Sequence, residues 1–483
     1  MARFTIVLIL AAHLSCTPLT AADTSITINP ASKYGTWEGW GTSLAWWAKK
    51  FGTRDDLADI FFTTKSTQLS GKSLPGLGLT IIRYNAGAVS TNTVDGTSIA
   101  ISSTMKASRE MEGFWIDWMS GDPASSSWNW SVDANQRAMM TKAKSRDATK
   151  FELFSNSPMW WMLKNKNPAG ANDGGNNLQS WNVDNHTAYL ATIAEYSQKN
   201  WGITFESIEP FNEPAANWWK ASTGTQEGCH FEVSSQPEII TSLRNELDSR
   251  GLSFTIIAAS DENTYDQAVT TYKGLSSVNS KIGRINVHGY QYGNGARDTL
   301  YGLASKAGQK LWNSEYGESD STGEQLVSNL ILDFRWLHPT AWIYWQVLDG
   351  GGWGVIDADN DAGTVGAANQ KYFVLAQFTR HIRPGMTILD GGSDNVVAAY
   401  DATNKRLVVV AVNWGNAQYL GFDLSKFSGK PENGNTVRRW QTMIGSGEQY
   451  VAKAADTKIN GTSFWSYFDN NLIQTFEVDG VTL

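Results

Sequence analysis

The sequence predicts an α/β fold, a (β/α)8 TIM barrel with an appended β-sandwich domain. Three observations lead there. The chain of 483 residues has the length of one barrel of roughly 250 or more residues plus a satellite domain. Between Thr36 and Phe378 short apolar or Gly-rich runs alternate with longer helical patterns, which is how βα units on a parallel sheet read. Beyond His381 the texture becomes alternating strands divided by tight turns, as in Val396–Tyr400, Leu407–Val412 and Leu472–Phe476.

Eight βα units can be placed in order. The first pairs a strand at Thr36–Thr42 with a helix at Arg54–Phe62. Leu79–Asn85 is followed by a helix at Asp133–Lys144, with Asp133 as its N-cap. Phe151–Asn156 precedes a helix at Asn185–Gln198, and Phe205–Pro214 one at Pro237–Asp248 that Gly251 closes. The remaining strands are Phe254–Ala259, Arg284–Val287, Lys310–Asn313 and Ala341–Trp345. Their helices are Tyr265–Leu275, Arg297–Ala307, Gly323–Trp336 and Asn369–Phe378. Ser25–Asn29 alternates like a strand but precedes the barrel, so it is expected in the sandwich. The expected boundaries are a signal peptide at 1–22, the catalytic barrel at 36–378, and a sandwich built from 23–35 plus 379–483.

The signal peptide rests on Met1-Ala2-Arg3, an apolar run from Phe4 to Leu14, and small residues ending at Ala22. No other stretch approaches the ~18 apolar residues of a membrane span. A secreted, extracellular, monomeric protein is therefore expected, with no membrane partner. A net charge of −8 argues against nucleic acid. Cys16 leaves with the leader and Cys229 stays alone, which excludes an intrachain disulfide. Sequons at Asn129, Asn185 and Asn460 accept glycans only where exposed, in a eukaryotic host. The 22 Trp exceed what a core needs, and indole faces suit sugar rings.

In a βα barrel the active site lies at the C-terminal ends of the strands. The residues there are Arg83, Tyr84 and Asn85 on strand two, Asn212 and Glu213 on strand four, and His288 and Tyr290 on strand six. Strand seven contributes Asn313 and Glu315, and strand eight Tyr344, Trp345 and Gln346. Trp residues crowd the same βα loops, in pairs such as Trp46-Trp47, Trp160-Trp161 and Trp218-Trp219. Two carboxylates from opposed strands above an indole-lined groove are what glycosidic hydrolysis requires, one acid for the leaving oxygen and one group at the anomeric carbon. Glu213 and Glu315 fit that description, and a polysaccharide is the expected partner. Asp261 and Glu262, at the end of strand five, are better read as ion-pair or capping residues. Glu209 shares the face of Glu213 but lies deeper, in a buried and hydrogen-bonded role.

Trp40-Gly41, Ile82-Arg83-Tyr84-Asn85, Glu209-Pro-Phe-Asn-Glu-Pro214 and Trp312-Asn-Ser-Glu-Tyr-Gly317 resemble glycoside hydrolase family 30. Within it the likeness runs to the fungal members that cut β-1,6-galactan. The resemblance implies a retaining endo-hydrolase of the β-1,6-galactan chains of arabinogalactan, needing no metal or cofactor. It makes Glu213 the acid/base, Glu315 the nucleophile, Asn212 a partner of the sugar 2-hydroxyl and Arg83 the charge beside the nucleophile. Tyr290 becomes the aromatic near it and Trp345 the platform beneath the cleaved sugar. Asn85, Trp161 and His288 join them as substrate-binding candidates.

Rival readings are weaker. Glu318 lies three residues past Glu315, but Glu315 follows strand seven directly, before Gly317 starts the loop. Asp357-Ala-Asp-Asn-Asp361 lacks the glycine and terminal glutamate of a calcium loop. Cys229-His230 has no orienting partner for thiol catalysis. The alternatives retained are another β-glycan, such as β-1,6-glucan, and a non-catalytic carbohydrate-binding protein.

Overall fold

The structure is a computed structural model that describes residues 22–483. The expected signal peptide, Ala22 apart, and Cys16 lie outside the described residues. Eight parallel strands close into a barrel: Gly39–Ser43, Ile81–Asn85, Lys150–Phe154, Ser207–Glu209, Ile256–Glu262, Ile282–His288, Lys310–Tyr316 and Ala341–Tyr344. They follow one another in chain order around the barrel, so each helix returns the chain over the outside of the sheet. The largest apolar cluster fills that layer between strands and helices.

Several boundaries move for identifiable reasons. The first barrel strand starts at Gly39, because Asn29–Thr36 already pairs with Thr387–Asp390 in another sheet. Gly41 is confined by closure, since a Cβ there would lie 2.7 Å from the Ile81 carbonyl oxygen. Strand four pairs only over Ser207–Glu209, and Pro210, with no N–H to give, follows it out of the ladder. Strand seven runs on to Tyr316 and so contains Glu315. Asp133 does precede its helix, but its side chain caps nothing. It accepts from the Tyr84 hydroxyl and from Gln136 Nε2 instead.

Inside the barrel the filling changes with height. Ile81, Trp312, Ala341 and Ile343 form an apolar floor. Above it, where barrels commonly carry branched aliphatics, Arg83, Glu152, Ser207, Arg284 and Asn286 are all buried. Alternation explains who points inward: Arg284, Asn286 and His288 face the axis while Ile285 and Val287 face the helices.

The sandwich has a seven-stranded sheet and a three-stranded sheet with a separate apolar core between them, including Ile26, Phe422, Phe464 and Phe476. The segment before the barrel enters both sheets. Thr24–Thr27 runs parallel to Gln418–Asp423, and Asn29–Thr36 antiparallel to Thr387–Asp390. The last barrel helix, Gln370–Thr379, is buried along its whole length between barrel and sandwich. Its polar groups are paired across the junction, with Gln377 Nε2 on Thr442 Oγ1 at 2.8 Å and Thr475 Oγ1 on Gln377 Oε1 at 2.6 Å. No helix among the described residues is long and apolar enough to cross a membrane.

At the N-terminal face Glu38 ties three strands together. It accepts from Lys310 Nζ at 2.8 Å, Trp312 Nε1 at 2.9 Å and Thr340 Oγ1 at 2.6 Å. Burial opposes its charge, but these donors outweigh burial and hold the carboxyl down to about 2 from 4.5. The folded value lies below the unfolded one, so this stability is present above the unfolded value and fades as pH falls toward 2. The shift corresponds to about 3 kcal/mol. Glu38→Gln is expected to lower the urea-unfolding free energy by about 2–3 kcal/mol near neutral pH, with the gap closing in acid. A gap independent of pH would show that packing, not charge, is what Glu38 supplies.

Candidate active site

Two β-bulges aim the central groups. On strand seven Asn313 pairs with Val287 but Glu315, not Ser314, pairs with His288. The extra residue breaks alternation, so Ser314 and Glu315 both point into the barrel mouth, Ser314 Oγ to Asp261 at 2.5 Å and Glu315 to Arg83 at 3.0 Å. On strand five Asp261 is the extra residue between Ser260 and Glu262. Asp261 and Glu213 both adopt left-handed backbone, φ 58° and 48°, a conformation non-glycine residues hold only where surroundings impose it. Glu213 N–H donates to the Asp261 carbonyl at 2.9 Å, joining the two loops.

Arg83 is fully buried and divides its guanidinium among three carboxylates. Nε donates to Glu152 at 3.0 Å, Nη1 to Glu315 at 3.0 Å and Nη2 to Asp261. Glu152 in turn accepts from Arg284, Ser207 and Asn286. His288 Nδ1 lies 3.0 Å from Glu213 Oε1 and 3.6 Å from Glu315 Oε1, with Nε2 3.1 Å from Asp261. Burial disfavours its charge, but Glu315 and Asp261 prevail and raise it to about 10. Asp261 is likewise held down to about 2, because Arg83 and His288 overcome the cost of burial. Glu315 is raised by burial and by the repulsion of Glu213, against the pull of His288 and Arg83. Four carboxylates, Glu152, Asp261, Glu213 and Glu315, face three cations, Arg83, Arg284 and His288.

Oxygens of Glu213 and Glu315 and the His288 nitrogen all lie within 4.8 Å of one another. Glu213 Oε1 also accepts from Asn263 Nδ2 at 2.7 Å, and Glu315 Oε1 from the Tyr290 hydroxyl at 2.9 Å. The same trio could offer one ligand atom each to a metal ion, but the Arg83 guanidinium on Glu315 is a poor neighbour for a second cation. The pair opens into a cleft of about 600 Å³ walled by Trp46, Trp218, Trp219, Trp345 and Trp353. Trp46 and Trp345 meet edge to face at 5.0 Å, while Trp218 and Trp353 remain 47% and 37% exposed.

Of the residues singled out in the sequence, Glu213, Glu315, Arg83, His288, Tyr290 and Trp345 come together here. Arg83 and His288 are buried beneath the pair rather than open to a ligand. Asn212 is buried beside Glu213 with no partner for Oδ1 among the described residues. Asn85 and Trp161 stand apart. Asn85 Nδ2 donates to Glu227 at 3.0 Å, and Trp161 is a core residue whose indole donates to the Trp115 carbonyl at 2.7 Å. Most loop tryptophans also serve packing: Trp115, Trp128 and Trp130 stack in a column that ends on Tyr196. Glu318 is turned away onto Lys371 Nζ at 3.1 Å. Cys229 is buried, which pushes its thiol up to about 12, unsuited to nucleophilic use.

Glu209 is buried as expected but accepts no hydrogen bond from the described residues. Burial first, then Asp261 and Glu152, raise it well above the usual carboxylate range, which favours its neutral form. Glu152, Arg284 and Asn263 were not singled out in the sequence. Arg284-Ile-Asn-Val-His288 did carry a signal, a polar residue at every second place of an otherwise apolar strand.

The profile of O-Glycosyl hydrolase family 30 matches residues 23–280. An endo-beta-1,6-galactanase of Hypocrea rufa is 58% identical over 463 residues, covering 96% of each chain. Among solved structures, a conserved exported protein from Bacteroides fragilis superposes with a TM-score of 0.75 at 16% identity, covering 94% of this chain and 100% of its own. The catalytic domain of GH30 xylanase C from Talaromyces cellulolyticus gives 0.70 at 20% identity, covering 95% and 100%. At such identities these two speak for the fold.

The charge network separates two buried glutamates by their expected response. Glu152→Gln leaves two guanidiniums short of a counter-charge and is expected to cost about 3–5 kcal/mol. Glu209→Gln removes a carboxyl whose charged form burial already disfavours and should cost under about 1 kcal/mol. Urea-unfolding midpoints of the two variants check the contrast, and equal losses would contradict it.

Proposed function

The chain belongs to O-Glycosyl hydrolase family 30, and from that premise we propose that it is a secreted, retaining endo-hydrolase of β-1,6-galactan chains such as those of arabinogalactan. The substrate rests on the 58% likeness to the Hypocrea rufa enzyme, and export on the leader-like composition of residues 1–22. The observation that carries the mechanism is the approach of Glu213 and Glu315 oxygens to within 4.8 Å. Such closeness suits direct attack with a covalent intermediate, since an inverting pair stands about 6.5–9.5 Å apart to admit a water.

Glu315 attacks the anomeric carbon while Glu213 donates its proton to the departing glycosidic oxygen. The glycosyl ester so formed is then opened by water, which Glu213 deprotonates, and configuration is retained. Arg83, charged at any working pH, favours the anionic form of Glu315, and the Tyr290 hydroxyl fixes the Oε1 end of the carboxylate. Trp46 and Trp345 offer apolar faces to the sugar ring, and the exposed Trp218 and Trp353 extend the groove for a polymer.

Product analysis on de-arabinosylated arabinogalactan beside β-1,6-glucan tests the substrate. Short β-1,6-galacto-oligosaccharides released first as the β-anomer are expected, and preferential cleavage of glucan would replace this reading with the alternative. Glu213→Gln should lower polysaccharide hydrolysis by about 10²–10⁴-fold while an activated aryl glycoside still reacts. The same variant carries no titratable acid, so the alkaline limb of its kcat/KM profile on the aryl substrate should flatten. A mechanism-based fluorosugar should label Glu315; label on Glu318 would refute the assignment.

A further inference from the structure

Glu213 has two oxygens in different circumstances. Oε1 accepts from Asn263 Nδ2 at 2.7 Å and lies 3.0 Å from His288 Nδ1. Oε2 accepts no hydrogen bond from the described residues, while the residue lines the cleft. The orientation of the Asn263 amide is set by chemistry, because the opposite one would place its carbonyl against a carboxyl oxygen that already faces the imidazole. Asn263 is itself firmly placed. It sits between Glu262, whose carboxylate accepts from Thr271 Oγ1 at 2.7 Å and from Ala215 N at 3.2 Å, and Thr264, which caps the next helix by accepting from Gln267 N at 3.2 Å. The loops after strands four and five are further tied by the Glu213 N–H to Asp261 carbonyl bond.

Resting on the proton-donor role given to Glu213, we propose that Asn263 is a positioning residue for that proton. With Oε1 fixed as an acceptor by an amide and an imidazole, the transferable proton resides on Oε2, the oxygen turned to the glycosidic bond. In the second half-reaction Oε2 takes the proton back from water. Loss of Asn263 lets the carboxyl rotate and places its proton on either oxygen. Transfer to the leaving group then suffers, and binding or attack by Glu315 does not.

The test compares kcat/KM on two substrates, an unactivated β-1,6-galacto-oligosaccharide and a dinitrophenyl β-1,6-galactobioside whose leaving group departs without a proton. Asn263→Ala is expected to lower the first by about 10- to 100-fold and the second by less than about 3-fold. Asn263→Asp, equal in shape but with an acceptor facing Oε1, should show the same selectivity with a larger loss on the oligosaccharide. Equal losses on both substrates in both variants would make Asn263 merely structural and overturn the positioning claim while leaving the role of Glu213 intact. Glu213→Gln run in parallel must show the same selectivity; full oligosaccharide activity there would remove the proton-donor reading and this inference with it.

Discussion

The guanidinium of Arg83 is the group on which the rest of the site depends. It is buried without access to water, and it is bonded at once to Glu152 below, Asp261 to one side and Glu315 above. Removing so many charges from water is costly unless every one is paired, and the barrel meets that condition by continuing the pattern through Arg284 and His288. The polar layer is therefore a connected lattice. Altering any one member changes the electrostatic setting of the pair above it.

That lattice explains how Glu315 can face inward at the end of strand seven. Regular alternation would send residue 315 out toward the helices. The bulge that turns it inward leaves Ser314 also facing in, where it bonds to Asp261. The strained backbone at Glu213 and Asp261 is held by the same contacts, one loop hydrogen-bonded to the other. Position and charge state are thus set together by the layer beneath.

Much of this was legible in the sequence, unevenly. Glu213, Glu315, His288 and Tyr290 stand at strand ends, and strand ends are where a barrel collects its chemistry. Asn85 and Trp161 occupy equally promising places but are claimed by Glu227 and by the loop core, which depend on contacts far away in the chain. Glu152 reads as an ordinary mid-strand residue, because its importance lies in what faces it across the barrel. The bulges are invisible too, since a register shift is a relation between two strands and one sequence describes each alone. Strand four reads longer than it is because its apolar run continues through Pro210, where the ladder has already ended.

The route of the segment before the barrel has a consequence for how the molecule comes into being. Thr24–Thr27 and Asn29–Thr36 pair with residues 418–423 and 387–390 respectively, on the far side of the barrel in the chain. During synthesis these early strands must wait, unpaired, until the ribosome has delivered the whole barrel and the first strands of the C-terminal sandwich. The barrel can assemble as its units emerge, whereas the sandwich is completed last and from both directions. Its closure brackets the barrel between two stretches of one sheet system, so the last folding event is also the one that draws the two flanks of the barrel together.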